Sequence, residues 1–384
     1  MPPCEIDLVV LISNYLPDQQ ESMLRYASLL EKSLKHHHLL VKVIRPKVYV
    51  GRFFKTSRLS KWLGYIDKFI IFPIKLVLTI LYLRLKKKHA IYHICDHSNA
   101  MYIPYLKKQK HVITCHDTFA IESALFGNDL QQTGFTGKIF QHLILRGLKK
   151  AKHLICVSEK SQSDFLKVIG PQVHSTYIPN ALNPAYLQQA NLFNEDRISS
   201  NKPYFIHVGG NQWYKNRLGV LKIFKELIGM DGFNSHQLVM VGKPWTDEMQ
   251  TFIQQHHLQD SVVMKTGIDD ITLKQFYQHS QGLIFPSLAE GFGWPIIEAQ
   301  ACGCLVITSD LSPMSDIAQG SAILIPASDP PLSAKIISEA FPQRLSYIKK
   351  GLYNAQQYDS KIVTAKIIQL YCDIKISEEG LCLK

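Results

Sequence analysis

Short runs of aliphatic and β-branched residues alternate with amphipathic stretches along almost the whole chain. The apolar runs predict buried strands, and apolar residues that recur every third or fourth position predict helices. In the first half the predicted strands lie at 6–13, 39–45, 90–95, 111–115, 153–157 and 174–178. In the second half they lie at 204–208, 236–241, 261–264, 282–285, 304–308 and 322–325. Strands that alternate with helices in this way indicate an α/β fold class with parallel sheets.

A polar segment separates the two sets of strands. Residues 180–203, NALNPAYLQQANLFNEDRISSNKP, are rich in Asn, Gln, Ser and Pro and lack a sustained period, which is typical of a linker. The sequence therefore predicts two doubly wound, Rossmann-like domains that face a cleft, at 1–185 and 203–355, with a linker at 186–202. A C-terminal helix and tail follow at 356–384, and the helical pattern at 359–373 could pack on either domain.

The composition is that of an ordinary globular protein, with 46% hydrophobic and 19% charged residues. The net charge of +12 is unevenly placed, since residues 1–190 hold 26 Lys and Arg against 12 Asp and Glu, and residues 191–384 hold 17 against 19. The first half should therefore meet an anionic partner. The eight cysteines form neither a disulfide framework nor a zinc pair, and the N-terminus lacks the pattern of a signal peptide, so we expect a cytoplasmic protein.

The most informative motif is GLIFPSLAEGFGWPIIEAQACGCLVITSD, residues 282–310. A strand leads into a loop in which Gly291 and Gly293 let the backbone approach a ligand, and Pro295 suits the first turn of a helix. The free N–H groups at that helix start, with the amides of Phe292 and Gly293, could hold a phosphate. The bland alternative is a simple connection between strand and helix.

Two glutamates in this motif, Glu290 and Glu298, are eight residues apart. If both lay on one helix they would be about 12 Å apart along its axis, which exceeds the roughly 5 to 9.5 Å of a hydrolytic carboxylate pair. We therefore expect them to serve different parts of one extended ligand. The alternative is that both are solvated.

A second motif, YFIHVGGNQWYKNRLGVLKIF, spans residues 204–224. A strand is followed by a turn at Gly210, and Lys215 and Arg217 stand where the next helix begins. A lysine at a helix start beside a glycine turn can neutralise a pyrophosphate. A solvated Lys-Asn-Arg face is the alternative.

The first half carries polar residues at predicted strand ends, where ligands bind in open α/β sheets. His116 and Asp117 follow one strand, and His93 and His97 flank the end of another. His93 and His97 lack a third ligand at useful spacing, so they are predicted to shape the acceptor side and not to bind a metal. After the first strand, Asp18 is a candidate N-cap for a helix that starts near Gln19, and Gln20 is a candidate acceptor contact.

These motifs together resemble family 4 of the retaining glycosyltransferases, which have the GT-B fold. The EGFGWPIIE segment is similar to the family signature in which the first glutamate faces the donor sugar and the second binds the ribose hydroxyls. The resemblance implies catalytic roles for His116 and Glu290 and ribose binding by Glu298. It implies the following phosphate contacts: Gly210, Lys215, Arg217, Phe292 and Gly293. It leaves Gln20, His97 and Asp117 for the acceptor side.

The implied activity is transfer of a hexose from a GDP- or UDP-sugar to a glycan or lipid-linked acceptor in polysaccharide or glycolipid synthesis. The resemblance implies retention of configuration, with no metal and no other cofactor. The alternative is a catalytically inactive GT-B scaffold or sugar-binding subunit, because a fold does not establish activity. A nucleic-acid partner is not expected, because the basic residues of the first half alternate with aliphatic ones and not with stacking aromatics.

Residues 61–88, KWLGYIDKFIIFPIKLVLTILYLRLKKK, combine an apolar stretch with several cations. The apolar stretch is too short for a comfortable membrane span of about 20 residues. Two interpretations remain open, a core helix with a basic end and a peripheral contact with an anionic membrane at the inner face. The cations concerned are Lys61, Lys68, Arg84, Lys86, Lys87 and Lys88.

Overall fold

The computed structural model describes residues 6–50, 63–127, 133–187 and 202–381. The chain forms two compact units, one of Met1–Pro179 with Lys361–Lys384 and the other of Asn180–Ser360. These divisions lie close to the predicted domain boundaries at 185 and 355, and most of the predicted linker lies outside the described residues.

The first unit contains a six-stranded parallel sheet in the order β2-β1-β3-β4-β5-β6. Its strands are β1 (Leu8–Ile12), β2 (Val41–Ile44), β3 (Ala90–Ile94), β4 (Lys110–Cys115), β5 (His153–Cys156) and β6 (His174–Tyr177). The helices are α1 (Glu21–His36), α2 (Phe72–Leu85), α3 (Phe119–Leu125), α4 (Phe135–Leu148) and α5 (Glu159–Ile169). A 3₁₀ segment, His97–Leu106, follows β3 and packs its apolar side chains into the core.

The second unit repeats this architecture with the strand order β12-β11-β10-β7-β8-β9, again all parallel. The strands are β7 (Tyr204–Gly209), β8 (Gln237–Gly242), β9 (Val262–Lys265), β10 (Gly282–Phe285), β11 (Val306–Ser309) and β12 (Ile323–Ile325). The helices before β10 are α6 (Pro184–Leu187), α7 (Arg217–Ile228), α8 (Asp247–Gln255) and α9 (Asp270–His279). The later helices are α10 (Trp294–Ala301), α11 (Met314–Ala318), α12 (Pro330–Ala340) and α13 (Arg344–Gln356). The C-terminal helix, α14 (Ser360–Leu381), begins at the last residue of the second unit and otherwise belongs to the first.

The predicted α/β class is confirmed, and every predicted strand is present within two residues at each end. The prediction succeeds because helices cover both faces of a parallel sheet, so its central strands are continuous apolar runs. All five residues of β1 are buried, for example.

The predicted N-cap of α1, Asp18, is wrong. The helix begins at Glu21 with Gln20 at the N-cap position, and Asp18 lies in a preceding 3₁₀ turn, Leu16–Asp18. The Asp18 carboxylate instead accepts a hydrogen bond from Nζ of Lys68 at 2.8 Å. This ion pair, between residues distant in the sequence, holds the loop after β1 against the segment that precedes α2.

The C-terminal helix α14 extends into the first unit, which settles the open choice of packing partner. The Tyr371 hydroxyl lies 2.6 Å from Nδ1 of His93, and Thr114 Oγ1 lies 2.7 Å from Nε2 of the same ring. Lys110 Nζ also donates to the carbonyl of Lys375. His93 is fully buried and therefore links α14 to β4 through its two nitrogens, and its predicted effect on the acceptor side stays a prediction.

His93 makes the stability of the first unit sensitive to acid. Burial, and secondarily the nearby His116, lower the pKa of His93 to about 3. A histidine in the unfolded chain has a pKa of about 6.5, so it becomes protonated as the pH falls below that value. In the folded chain His93 stays neutral until the pH approaches about 3, so protons bind preferentially to the unfolded chain between these two values. The free energy of unfolding of the first unit therefore falls as the pH is lowered from 6.5 towards 3, and at pH 4.5 His93 has lowered it by about 3 kcal/mol.

We predict that His93→Gln is less stable than the wild type at pH 7 but loses about 3 kcal/mol less between pH 7 and pH 4.5. Urea unfolding at both pH values measures the difference. His36→Gln, at an exposed helix end, is the control and should keep the wild-type pH dependence. An unchanged pH dependence in His93→Gln would refute the assignment.

Candidate functional site

The ends of β7 and β8 approach each other unusually closely at a pair of glycines. Gly209 is in register with Gly242, whose φ is +145°. A Cβ at Gly242 would lie 2.0 Å from the carbonyl oxygen of Gly209, which no side chain could tolerate. Gly209 and Gly210 are half-buried at this turn, and the contact of Gly210 with a phosphate stays a prediction.

The loop after β7 is fastened to the loop after β10 by one amide. Asn216 is the N-cap residue of α7 and adopts a left-handed conformation with φ of 50°, which asparagine tolerates better than most residues. Its Nδ2 donates to the carbonyl oxygens of Pro286 at 3.0 Å and Ala327 at 3.1 Å. The amide of Leu288 donates to the carbonyl of Tyr214 at 2.8 Å. The two loops therefore form one structure.

Lys215 and Glu290 meet where these loops join. Lys215 Nζ lies 2.7 Å from Glu290 Oε1, which also accepts from Ser287 Oγ at 2.9 Å. The side chains are 17% and 8% exposed, so the pair is largely shielded from water yet still accessible. An ammonium has three donor hydrogens, so Lys215 can keep Glu290 and still donate to an anion.

Helix α10 begins just after Glu290, with Gly293 at its N-cap position (φ 105°) and Pro295 in its first turn. The first amides of a helix have no acceptor within it and carry the positive end of its dipole. Phe292 is buried with its ring edge-on to Tyr358, at 5.8 Å between centroids. Phe292 therefore offers a ligand its main chain, and its side chain belongs to the core.

Glu298 lies within α10 and is only 2% exposed. Its Oε2 accepts a hydrogen bond from the Tyr277 hydroxyl at 3.3 Å. Burial, and next the Glu298 carboxylate, raise the pKa of Tyr277 well above its ordinary value, so the phenol remains a donor. The two glutamates thus occupy different settings, as the spacing suggested: Glu290 in the loop with a cation, and Glu298 in the helix with a phenol.

Arg217 lies in the first turn of α7 and is 4% exposed. Its guanidinium donates to Asn211 Oδ1 and to the Pro244 carbonyl at 3.3 Å, and it lies over the Trp245 ring at 5.8 Å. These contacts brace the loop after β7 against the loop after β8. The structure gives Arg217 this bracing role, and its contact with a phosphate stays a prediction.

In the first unit, polar side chains gather at the carboxyl ends of three adjacent strands, β1, β3 and β4. Asn14 follows β1, Asp96 and His97 follow β3, and His116 follows β4. The strand order places these ends side by side. Asn14 Nδ2 donates to both Asp96 and Gln20, which brings the predicted residues Gln20, His97 and His116 into one cluster.

Asp96 is the centre of this cluster. Its carboxylate accepts from the Ser98 amide at 3.1 Å and lies 3.2 Å from Nδ1 of His97. Burial alone would raise the pKa of Asp96, but His97, His116 and the hydrogen bonds from Ser98 and Asn14 together hold that pKa below its ordinary value. The cluster therefore contains a fixed anion.

His116 is buried, and its Nε2 lies 3.0 Å from the carbonyl of Cys95. A carbonyl can only accept, so Nε2 carries the proton and Nδ1 carries a lone pair. Burial lowers the pKa of His116 against the opposing charge of Asp96, which favours the neutral ring. Nδ1 has no partner within the described residues but is itself buried, so a hydrogen bond from a sugar hydroxyl group to His116 stays a prediction.

The other predicted acceptor-side residues have simpler settings. Gln20 is exposed, and its Oε1 accepts from Asn14. Asp117 is half-buried and accepts from the Phe119 amide at 3.2 Å, which shapes the turn into α3. Its predicted contact with an acceptor is therefore additional to this local role.

Sequence reasoning missed several members of both clusters. They are Asn14, Ser98, Asn216, Tyr277 and Ser287. Asn14 could have been found, because it is a polar residue close after a buried strand. Tyr277 gives no such signal, since its contact with Glu298 depends on how α9 packs against α10.

No group of three or more His, Cys, Asp or Glu residues in the described part of the chain is arranged to hold a metal ion. The described cysteines carry free thiols: Cys95, Cys115, Cys156, Cys302, Cys304 and Cys372.

Comparisons with known proteins show a family that the second unit resembles. Residues 188–346, which contain both loops and α10, match the profile of the family described as glycosyl transferases group 1. The chain is 24% identical over 243 residues to O-antigen chain mannosyltransferase B of Escherichia coli, covering 58% of this chain and 61% of that protein. It is 26% identical over 229 residues to O-antigen chain mannosyltransferase RfbU of Salmonella typhimurium, covering 59% of each. The match thus spans about three fifths of these relatives.

Among solved structures, sucrose-phosphate synthase from Thermosynechococcus elongatus aligns with 97% of this chain and 100% of that chain. The TM-score is 0.73 at 16% identity, which shows a shared fold. Residues 188–346 are thus similar to the group 1 glycosyltransferases, and the two parallel six-stranded sheets have the GT-B fold.

Proposed function

We propose that this protein is a family 4-like, retaining glycosyltransferase that moves a hexose from a nucleotide sugar to an acceptor without a metal ion. One observation carries the proposal: a Lys215–Glu290 ion pair stands directly before the N-terminus of α10, in the segment that matches the group 1 family. A cation, a carboxylate and a positive helix end at one place suit a sugar diphosphate.

The donor diphosphate would be held by Lys215 and by the first amides of α10, including those of Phe292 and Gly293. Preorganised donors of this kind stabilise the charge that develops on a departing phosphate. Together they can do the work that Mg²⁺ does at other diphosphate sites. Glu298 would bind the ribose hydroxyls, and Tyr277 would keep its carboxylate in place.

Transfer with retention would proceed by attack of the acceptor hydroxyl group on the anomeric carbon, from the same face of the sugar ring as the departing diphosphate. The bond between the anomeric carbon and the phosphate oxygen breaks, the acceptor oxygen bonds to that carbon, and the acceptor proton passes to the leaving phosphate. Glu290 would face the donor sugar and stabilise the positive charge at its ring. His116 would accept a hydrogen bond from a sugar hydroxyl, and Gln20, His97 and Asp117 would contact the acceptor.

Mannose is the favoured sugar, because both relatives compared here are named as mannosyltransferases. GDP- and UDP-sugars are both candidate donors. The names of these relatives also support an acceptor in polysaccharide synthesis, either a glycan or a lipid-linked one. The free thiols of the described cysteines suit a reducing cytoplasm, and we propose action at the inner face of the membrane.

Glu290→Gln should lower turnover by about 100-fold or more, the usual cost of losing one electrostatic contact to a transition state. Binding of the nucleoside diphosphate should be kept or become tighter, because the substitution removes a negative charge that competes for Lys215. Transfer rates with a panel of GDP- and UDP-hexoses, and calorimetric titration with GDP and UDP, measure the two effects separately.

Glu248→Gln, at an exposed position on α8, is the matched control and should leave both measurements unchanged. Full transfer activity in Glu290→Gln would exclude the catalytic assignment. Tight nucleotide binding by the wild type, with no transfer to any glycan or lipid-linked acceptor tested, would favour an inactive sugar-binding subunit.

Lys215→Ala should weaken binding of the nucleoside diphosphate by roughly 1.5 to 3 kcal/mol, the range for a hydrogen bond to a charged group. Calorimetry with GDP and UDP measures this loss. Lys222→Ala, which removes an exposed lysine of α7, is the control. Unchanged affinity in Lys215→Ala would place the diphosphate elsewhere.

EDTA should leave the transfer rate intact, since Lys215 and the helix amides neutralise the leaving group. The rate is measured with and without chelator on the same enzyme stock. If EDTA abolished activity and Mg²⁺ or Mn²⁺ restored it, the metal-free mechanism would be wrong.

A further inference from the structure

Helix α2 is apolar on two opposite sides. One side is buried against the sheet, with Phe72, Leu76 and Leu83 in the core of the first unit. The other side is exposed, and its side chains recur at helical spacing: Ile74, Val77, Leu78, Leu81, Tyr82 and Leu85. At about 100° per residue these two sets fall on opposite faces. An exposed apolar face of this size is unusual on a surface helix whose outer side is in contact with water.

Exposure along this outer face is high, with Leu78 60% and Leu85 83% exposed. The face continues beyond the helix into a shallow groove of about 370 Å³. The groove is lined by apolar side chains from residues 69–78 and by the ring of Tyr105, which lies in the 3₁₀ segment after β3. A broad apolar surface is therefore open on this side of the unit.

Cations border the outer face. At helical spacing Lys75 lies at one edge and Arg84 at the other, and three exposed lysines, Lys86, Lys87 and Lys88, follow the end of the helix. None of the five takes part in an ion pair within the described residues. Burial, and next the charges of Lys47 and Lys42, lower the pKa of Lys75, so two further lysines lie close to this edge.

Two cations of the predicted basic segment do not contribute. Lys68 is buried and paired with Asp18. Lys61 lies outside the described residues. Among the described residues, the positive charge at this face therefore comes from Lys75, Arg84 and the lysines after α2, and not from Lys68.

We propose that the outer face of α2 is a docking surface for an anionic lipid bilayer, with α2 lying in the plane of the interface. The apolar side chains of this face would enter the hydrocarbon at the bilayer surface, and the bordering lysine and arginine side chains would contact the negatively charged lipid headgroups. No helix among the described residues is long and apolar enough to span a membrane, and an interfacial helix does not need to span. The surface differs from the site that carries the proposed chemistry, so binding can be measured without turnover.

The test is co-sedimentation of the full chain with vesicles of phosphatidylcholine alone and of phosphatidylcholine with 30% phosphatidylglycerol. We expect binding to the anionic vesicles that falls as salt is raised, and little binding to the neutral ones. Lys86→Glu/Lys87→Glu/Lys88→Glu should weaken it by about 100-fold or more. The matched control, Lys335→Glu/Lys349→Glu/Lys350→Glu, reverses three exposed lysines of the second unit and should bind nearly as the wild type does.

A second pair of variants tests the apolar part of the surface. Leu78→Gln/Leu81→Gln should lose vesicle binding and keep the wild-type melting temperature, because both side chains are already exposed. Leu332→Gln/Leu345→Gln, at exposed apolar positions of the second unit, is its control.

Three results would overturn the proposal. The first is that the protein pellets equally with neutral and anionic vesicles, and the second is that the variant with glutamate at positions 86, 87 and 88 binds as well as the wild type. The third is that the wild type is a dimer that does not bind vesicles, and that Leu78→Gln/Leu81→Gln converts this dimer to a monomer. The last result would make the face an interface between two copies of the chain.

Discussion

The ion pair between Lys215 and Glu290 is the interaction on which the candidate site of the second unit depends. Two residues from different loops, 75 positions apart in the chain, are held at 2.7 Å in a largely shielded place. Loss of either partner would leave the other charge buried without compensation, which is costly. The pair exists only because parallel strands bring their carboxyl ends to one edge of the sheet and because Asn216 fastens the two loops together. Fold and chemistry are therefore coupled at this point.

The two units use the same strand-end geometry with opposite electrostatics. The second unit presents a lysine and a helix N-terminus, which suit an anionic donor. The first unit presents the Asp96 carboxylate among amides and neutral imidazole, which suits sugar hydroxyl groups. The net charge of residues 1–190, with 26 basic against 12 acidic residues, is consequently not explained by this cluster. Much of that surplus lies on the surface, including the end of α2.

The sequence predicted the fold well because burial on both faces makes the central parallel strands, such as β1 and β10, continuous apolar runs. Local motifs were enough to single out Lys215, Glu290 and Glu298 as candidates, but the sequence could not predict that Lys215 and Glu290 pair, since that depends on the order of β7 and β10 in the sheet. The predicted N-cap of α1 failed for the same reason. The Asp18 pattern satisfies the capping rule, yet Lys68, far along the chain, takes the carboxylate. Local sequence patterns predict helices and strands, whereas contacts between elements distant in the sequence determine which partner each polar side chain has.

Helix α2 shows where periodicity alone leaves two answers. A helix that is apolar on all sides is compatible with a fully buried core helix and with a helix that meets lipid. The structure shows that both descriptions apply, to different sides: Leu76 is in the core and Leu78, two positions on, is 60% exposed. Burial of the inner side fixes the orientation of the helix, so the outer side and its bordering cations face outward as a rigid surface. A helix of the core therefore also provides a candidate binding face, because only its inner side packs against the sheet.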